Sequence, residues 1–416
     1  MSIDQVSGVT GVKAPEKQDS AKPVKTEKEV QVNGFASSDN PLNKVKSSVS
    51  TNPFVAGVNE KQPEASDVKG MVAKRFFVIS DKIDENHDGF ITKRELGNKM
   101  SDPSIKGQDA ALVGALAQHR WRIGALSNSE DKTLGLRGIT KQDLVAYDKL
   151  PSGDKLKDEV DSTFYTIQGN SSWTNNKIKD KDGNIILPKT ASDVDYKDLQ
   201  QGQAGDCYFL AALASFAQRH PQKVVDMIKD NKNGTYDVKF ADRTVTIKAP
   251  SDAELGLYGS GKGWMPIIEK GYAKYRDEKN ILDFSNDYDL IGGGSTIVGR
   301  GIKELTGNSF DTDIIKIVPD DKMRQKLKNA TDNNKLMTAS INKHLFGKDS
   351  LGLPDGHVYT VLGFDSKTDK VQIRNPWGQT EAKGPNGGPR DGKDDGIFEL
   401  SLAEFKQHFT QIAFEK

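Results

Sequence analysis

Apolar residues begin to recur at helical spacing only from Val68. Val72, Phe76, Ile79 and Ile83 follow at intervals of three and four, the stripe of an amphipathic helix, and a polar loop comes directly after them. Farther on, Leu112, Val113, Leu116, Ile123 and Leu126 predict a second helix over 108–126, with a third around 143–150. Pro151, Ser152 and Gly153 break that pattern, and the charged stretch KLKDEV reads as a link to the rest of the chain. Beyond about residue 160 the pattern is mixed. Residues 207 to about 218 are apolar nearly all round, as in a buried helix, whereas 236–240 and 244–248 alternate like strands. Residues 357–364 and 370–375 also alternate and flank the turn-like DSKTD, which predicts a β-hairpin. A helical first half and a strand-rich second half point to an α+β chain with two subdomains facing each other.

Residues 1–68 show neither periodicity. They are rich in Lys, Glu, Ser, Val and Pro, with Phe35 and Phe54 as their large aromatics, and read as a disordered tail that serves as a tether, a secretion signal or a propeptide. Residues 69–150 then form a small helical module, and 151–189 a linker and entry to the remainder.

Composition narrows the function. A length of 416 residues is enough for two or three domains. Lys plus Arg and Asp plus Glu number 59 each, so no global field draws the chain to nucleic acid or anionic membrane. Mean hydropathy is −0.63, polar for a chain folded throughout. No apolar run is long enough to span a bilayer, and the N-terminus lacks the apolar core of a secretory signal, so any export is expected to use a route without a conventional cleaved signal. A single cysteine excludes an intrachain disulfide framework and any multi-cysteine metal cluster.

Residues 84–95, DENHDGFITKRE, have the spacing of a calcium loop. Asp84, Asn86 and Asp88 stand at positions 1, 3 and 5, Gly89 at 6, Phe90 at 7 for its carbonyl, Thr92 at 9 and Glu95 at 12. A Ca2+ ion needs six to eight oxygens; Gly permits the sharp turn and the last Glu supplies a bidentate carboxylate. Ile91 is placed to pair with a partner loop. Residues 138–144 echo the end of this loop, but counting back puts Lys132, Leu134 and Leu136 where oxygen ligands belong, so the second loop is expected to be structural only.

The sole cysteine, Cys207, opens the apolar helix, where backbone N–H groups and the helix dipole favour thiolate over thiol. Of the six histidines, His357 starts the first hairpin strand and Asn375 ends the second. Folding about the DSKTD turn brings them near-opposite, where an amide oxygen can accept the imidazole N–H and fix its tautomer, with Trp377 as a shield from water. The Cys207 N–H and the amide of Gln201 are candidate oxyanion donors, with Gln203 as a weaker rival.

Together QGQAGDCYFLAALASF, GHVYTVLGF and RNPWG resemble the papain-like catalytic core of calpains, the calcium-dependent cysteine proteases, in the same order Gln, Cys, His, Asn. The likeness continues through IIEKGYAKY, GGGSTIVG and the closing DGIFELSLAEFKQHFTQIAF, over roughly 190–416. It implies a papain-like fold with a helical, Cys-bearing subdomain at 190–306 and a β-rich, His- and Asn-bearing one at 307–416; the all-α EF-hand module read from the loop pattern precedes this core, whereas the EF-hands of animal calpains are C-terminal to it. It further implies Cys207 as nucleophile, His357 as base and then acid, Asn375 as orienter and Gln201 as oxyanion donor, acting on protein substrates. Calpain cores also bind calcium outside any EF-hand. Asp198 matches a ligand of one such site, where Asn280 replaces an acidic residue; Glu381 and Asp395 match the other, where Ile397 replaces one. Tyr208 stands where the family has Trp. The expected activity is a Ca2+-binding endopeptidase, against two rivals: an acyl transferase using the same triad with an amine in place of water, and a calcium-binding adaptor with an inactive core. Oligomeric state and location in the cell have no signature in the chain.

Overall fold

A computed structural model describes residues 63–127, 138–181, 183–259, 261–277, 298–342 and 351–416, with the backbone alone for 171–177. Asn280, His344 and most of the second loop lie outside these residues, as does the tail as far as residue 62. Its last few residues include a 3-10 turn at Ala65–Asp67 and the buried Val68.

The first expected stripe forms α1 (Met71–Ile83), with Val72, Phe76, Ile79 and Ile83 all buried. The loop after it leads to α2 (Lys93–Met100), whose first turn is closed by a capping box between Thr92 and Glu95. The second stripe is α3 (Gly107–Ile123) and the third α4 (Lys141–Asp148). Ile91 and Ile139 form an antiparallel bridge, each N–H donating to the other's carbonyl at 2.9 Å, so the two loops pair through their apolar strand position.

The KLKDEV stretch is not a bare link. It opens the 24-residue helix α5 (Lys155–Ile178), and Leu156, Val160, Phe164 and Ile167 are buried along one side. Their spacing is helical, but the charged residues between them dominate the local composition and conceal it. α5 packs against both α3 and a later short helix, α8 (Asp252–Leu257), so it splices the helical module to the rest of the chain.

The apolar helix is α6 (Cys207–Arg219), followed by α7 (Pro221–Met227). Strands β1 (Ile228–Asp230), β2 (Thr235–Lys239) and β3 (Thr244–Lys248) make a small antiparallel sheet. Helices α8 (Asp252–Leu257), α9 (Trp264–Asp277) and α10 (Arg300–Thr306) complete this half. The second half holds β4 (Phe310–Ile314), α11 (Asp320–Asp332), β5 (Met337–Ile341), β6 (His357–Asp365), β7 (Lys370–Arg374), β8 (Ile397–Ser401) and, after the helix Leu402–His408, β9 (Gln411–Glu415). These six strands form one antiparallel sheet in the order β4-β9-β5-β6-β7-β8. One hydrophobic core joins the helical module to the α6 half, and a second lies within the six-stranded sheet and its helices.

The two halves meet along α6. Thr360 Oγ1 on β6 donates to the Ala211 carbonyl at 2.8 Å, and Met337 N on β5 donates to Ser215 Oγ at 3.3 Å. α6 therefore lies against β5 and β6, which carries its N-terminus toward the start of β6.

Candidate active site

Cys207 begins α6, and the preceding Asp206 carbonyl accepts from Phe209 N at 2.8 Å and Leu210 N at 3.1 Å. The residue is 5% exposed. Its sulfur faces the backbone N–H of Val358, the residue after His357, and lies close enough to Tyr359 for their charges to interact. The helix-end effect expected from sequence does not prevail. Burial pushes the thiol up to about 12, the Val358 N–H offsets only part of this, and the Asp206 carboxyl adds to it. Desolvation outweighs the dipole because the sulfur is almost entirely removed from water.

His357 is buried and hydrogen-bonded through Nε2 to Asn375 Oδ1 at 2.9 Å. The amide's orientation follows from its other partners: Trp377 N donates to Oδ1 at 3.1 Å, and Nδ2 donates to the Thr380 carbonyl at 3.0 Å. Asn375 Oδ1 can only accept, so Nε2 carries the proton and Nδ1 is the basic nitrogen. The pairing differs slightly from the symmetric hairpin. Thr360 faces Arg374 and the register shifts at Val361/Gly363, so continuing the ladder sets His357 across from Trp377, and the imidazole reaches Asn375 diagonally. The Trp377 ring lies 4.7 Å from the imidazole centroid, consistent with a shield.

Burial pushes the His357 imidazole down to about 4, against the opposing pull of Asn375. The resting thiol and imidazole are thus both neutral. Alkylation of Cys207 by iodoacetamide is expected to be slow near neutrality and to climb into the alkaline range; a plateau extending into acid would instead reveal a preformed thiolate–imidazolium pair. A depressed imidazole also means that its stabilising share is present above the ordinary value of 6.5 and is lost as pH falls toward about 4. The loss is on the order of 3 kcal/mol, measurable as a stability gap between wild type and His357→Gln that narrows on acidification.

Gln201 is tied to both halves of the structure. Its backbone N–H donates to the Pro376 carbonyl at 2.9 Å, and its side-chain Nε2 donates to Ala204 O at 2.6 Å and Asp206 Oδ1 at 3.3 Å. The amide expected to serve as an oxyanion donor is therefore turned onto its own loop in this conformation. Gly202 is needed beside it, since a Cβ there would lie 1.6 Å from the Tyr258 carbonyl oxygen. Gln203, the rival, has an exposed side chain, while its backbone N–H donates to Leu257 O at 2.8 Å.

Two residues near the site lie within the calpain-like segments RNPWG and IIEKGYAKY but carry no role legible in sequence, Arg374 and Glu269. Arg374, fully buried, donates through Nη2 to the carbonyls of Leu199 and Lys197, tying β7 to the segment before the Cys loop. Glu269 sits on α9 beside Trp264, Met265, Ile267 and Ile268, all buried. Besides its place in IIEKGYAKY, a carboxyl in so apolar a run is the sequence signal that marks it.

In the 84–95 loop the oxygens converge on backbone donors. Asp84 Oδ2 accepts from Gly89 N at 2.9 Å, Asp88 Oδ1 from Phe90 N at 2.9 Å, and Glu95 Oε1 from Glu85 N at 2.8 Å. Asn86 Oδ1 accepts from Asp88 N at 3.2 Å, and Thr92 Oγ1 donates to Glu95 Oε2 at 2.7 Å. Gly89 takes φ +86°, the left-handed turn that position 6 requires. Among the described residues no group of three or more His, Cys, Asp or Glu side chains is gathered as a metal cluster. The donor set of this loop is nonetheless all oxygen, with the turn glycine in place, and fits a hard cation.

The candidate core ligands divide. Asp198 pairs with Lys262 at 2.8 Å. Glu381 Oε1 accepts from Asp395 N at 2.9 Å and Ile397 N at 3.2 Å, which brings Glu381 to the Asp395 loop, and burial pushes its carboxyl up to about 7.

The model of the calpain family cysteine protease matches residues 168–388, more than half of the 416-residue chain, and the chain belongs to that family. Calpain-9 of Mus musculus is 28% identical over 259 residues, which are 52% of this chain and 35% of that protein. The calpain-1 catalytic subunit of Mus musculus is 26% identical over 255 residues, covering 52% and 34%. Calpain-5 of Mus musculus is 26% identical over 270 residues, covering 52% and 42%. The chain thus spans between about a third and two-fifths of the length of these relatives.

Proposed function

We propose that the chain is a cysteine endopeptidase that hydrolyses peptide bonds of protein substrates through Cys207, His357 and Asn375. The observation that carries the reading is the His357–Asn375 bond at 2.9 Å, next to the Val358 N–H that faces the Cys207 sulfur. His357 takes the thiol proton as sulfur attacks the carbonyl, then gives it to the departing amine; water added with His357 as base cleaves the thioester and restores the thiol. Asn375 holds the tautomer in which Nδ1 is free to accept that proton. The Cys207 N–H and the Gln201 amide stabilise the oxyanion, the amide by swinging one N–H off the Ala204 carbonyl while the other stays on Asp206. A fluorogenic peptide assay with amine added tests this reading: hydrolysis supports it, whereas amide formation with the amine identifies a transferase and no turnover an inactive adaptor.

The loop of Asp84, Asn86, Asp88, Phe90, Thr92 and Glu95 is the proposed Ca2+ site. A bound ion supplies positive charge between the carboxylates that join α1 to α2. The end of α2 is bonded to the core: Ser251 Oγ donates to the Met100 carbonyl, and Ser101 Oγ donates to Glu254 Oε1 at 3.1 Å. α8 then ends at Leu257, whose carbonyl receives Gln203 N from the Cys loop. This path supports regulation or stabilisation through the helical module, to the extent that the ion binds one state of it more tightly. Glu95→Gln is expected to weaken Ca2+ binding at least tenfold in calorimetry of the full chain, by removal of a bidentate carboxylate. Unchanged binding would place the principal site elsewhere, with Glu381 and Asp395 the next candidates.

A further inference from the structure

Directly behind the nucleophile lies a pair of buried acids with no role in the chemistry above. Asp206 and Glu269 are both fully buried, and their carboxyls face each other within hydrogen-bonding reach. Asp206 Oδ2 and both Glu269 oxygens receive no N–H or O–H from any other side chain or backbone group among the described residues. Two carboxylates are acceptors only, so such a contact is stable when a proton lies between them. Asp206 Oδ1 meanwhile accepts from the Gln201 amide at 3.3 Å. Glu269 also packs closely against the neighbouring loop, where a Cβ on Gly259 would lie 2.9 Å from its Oε2.

We propose that Asp206 and Glu269 are positioning residues: their carboxyls share a proton, and this hydrogen bond holds Asp206 where its other oxygen orients the Gln201 amide beside Cys207. The consequence for turnover rests on the peptidase reading; the shared proton does not. The surroundings favour proton retention. Burial, and then the Asp206 charge, hold Glu269 well above the carboxylate range; burial also raises Asp206, but hydrogen bonds from its own N–H, from Glu269 and from the Gln201 amide pull it back down, so the proton resides on the Glu269 side. From α8, Glu254 acts on Glu269 in the same direction, but it is itself paired with Lys270 of α9 at 2.7 Å. On α6, Cys207 and Tyr208 are acids whose ionisation a charged Asp206 opposes.

Infrared spectroscopy of the full chain, with aspartate and glutamate carboxyls isotope-labelled, tests the proton directly. Wild type at neutral pH is expected to show a protonated-carboxyl band that Glu269→Gln lacks; Glu381 contributes to both and cancels in the difference. In turnover, Glu269→Gln still offers an N–H to Asp206 and is expected to stay within about threefold of wild type, while Glu269→Leu loses about tenfold or more in kcat with KM little changed. Iodoacetamide alkylation of Cys207, which needs no oxyanion donor, is expected to change less than turnover in either variant. Absence of the infrared difference, or a folded Glu269→Leu as active as wild type, overturns the proposal. A wild-type protein that alkylates but never cleaves peptide would refute the peptidase reading instead, and the infrared difference would still decide the pair.

Discussion

Cys207→Ala and His357→Ala are each expected to reduce peptide hydrolysis by about four orders of magnitude or more, because either change removes a partner in bond making and the residual rate of such sites comes from binding and oxyanion donors alone. Neither should unfold the chain. Cys207 is a small side chain at a helix end, and His357 lies on a strand paired on both sides, with β5 and β7. Asn375→Ala should cost less, about a hundredfold, since it orients the imidazole and transfers no proton. It would nevertheless strand three groups, His357 Nε2, Trp377 N and the Thr380 carbonyl, so some loss of stability should accompany it. Turnover of a fluorogenic peptide, with circular dichroism as the control for folding, checks all three. A Cys207→Ala protein that still cleaves at the wild-type rate would remove the nucleophile assignment.

Lys270→Met is expected to destabilise the chain by about 3–5 kcal/mol, the range for removing one partner of a buried ion pair. Lys270 Nζ lies 2.7 Å from Glu254 Oε2, and both side chains are almost entirely buried. Glu254 also receives Ser251 N at 2.7 Å and Ser101 Oγ at 3.1 Å, so it fastens the start of α8, the body of α9 and the end of α2 at one point. Without the ammonium its charge is left buried among neutral donors. Adding Glu254→Gln to Lys270→Met should recover much of the loss, because the amide removes the uncompensated charge. Urea unfolding of the single and double variants measures this; equal stability of wild type and Lys270→Met would show that the carboxylate is neutralised by other means.

The helix stripes at Val72 to Ile83 and Leu112 to Ile123, the apolar helix after Cys207 and the hairpin of β6 and β7 were legible because each repeats on one side at a single local period. α5 was not, because four buried residues separated by charges give a weak stripe over a polar segment. Strands β4, β5, β8 and β9 were also hard to read individually. They are five residues each, and β5, buried at every position, shows no alternation. Their order in the sheet joins segments about a hundred residues apart, such as β4 with β9, for which local pattern contains no information.

Residue identities and spacing by themselves determined the candidate chemistry: one thiol at a helix start, a histidine and an asparagine across a hairpin, and oxygen ligands at the intervals of a calcium loop. Those features depend on chain geometry over a few residues, which sequence encodes directly. Tertiary structure alone decided the protonation of the site and its supports. Burial under β6 made the Cys207 thiol neutral although the helix dipole favours thiolate, and the approach of α9 to the Cys loop set Glu269 against Asp206. Desolvation and long-range charge depend on which distant segments exclude water, and that is a property of the packed molecule rather than of any stretch of it.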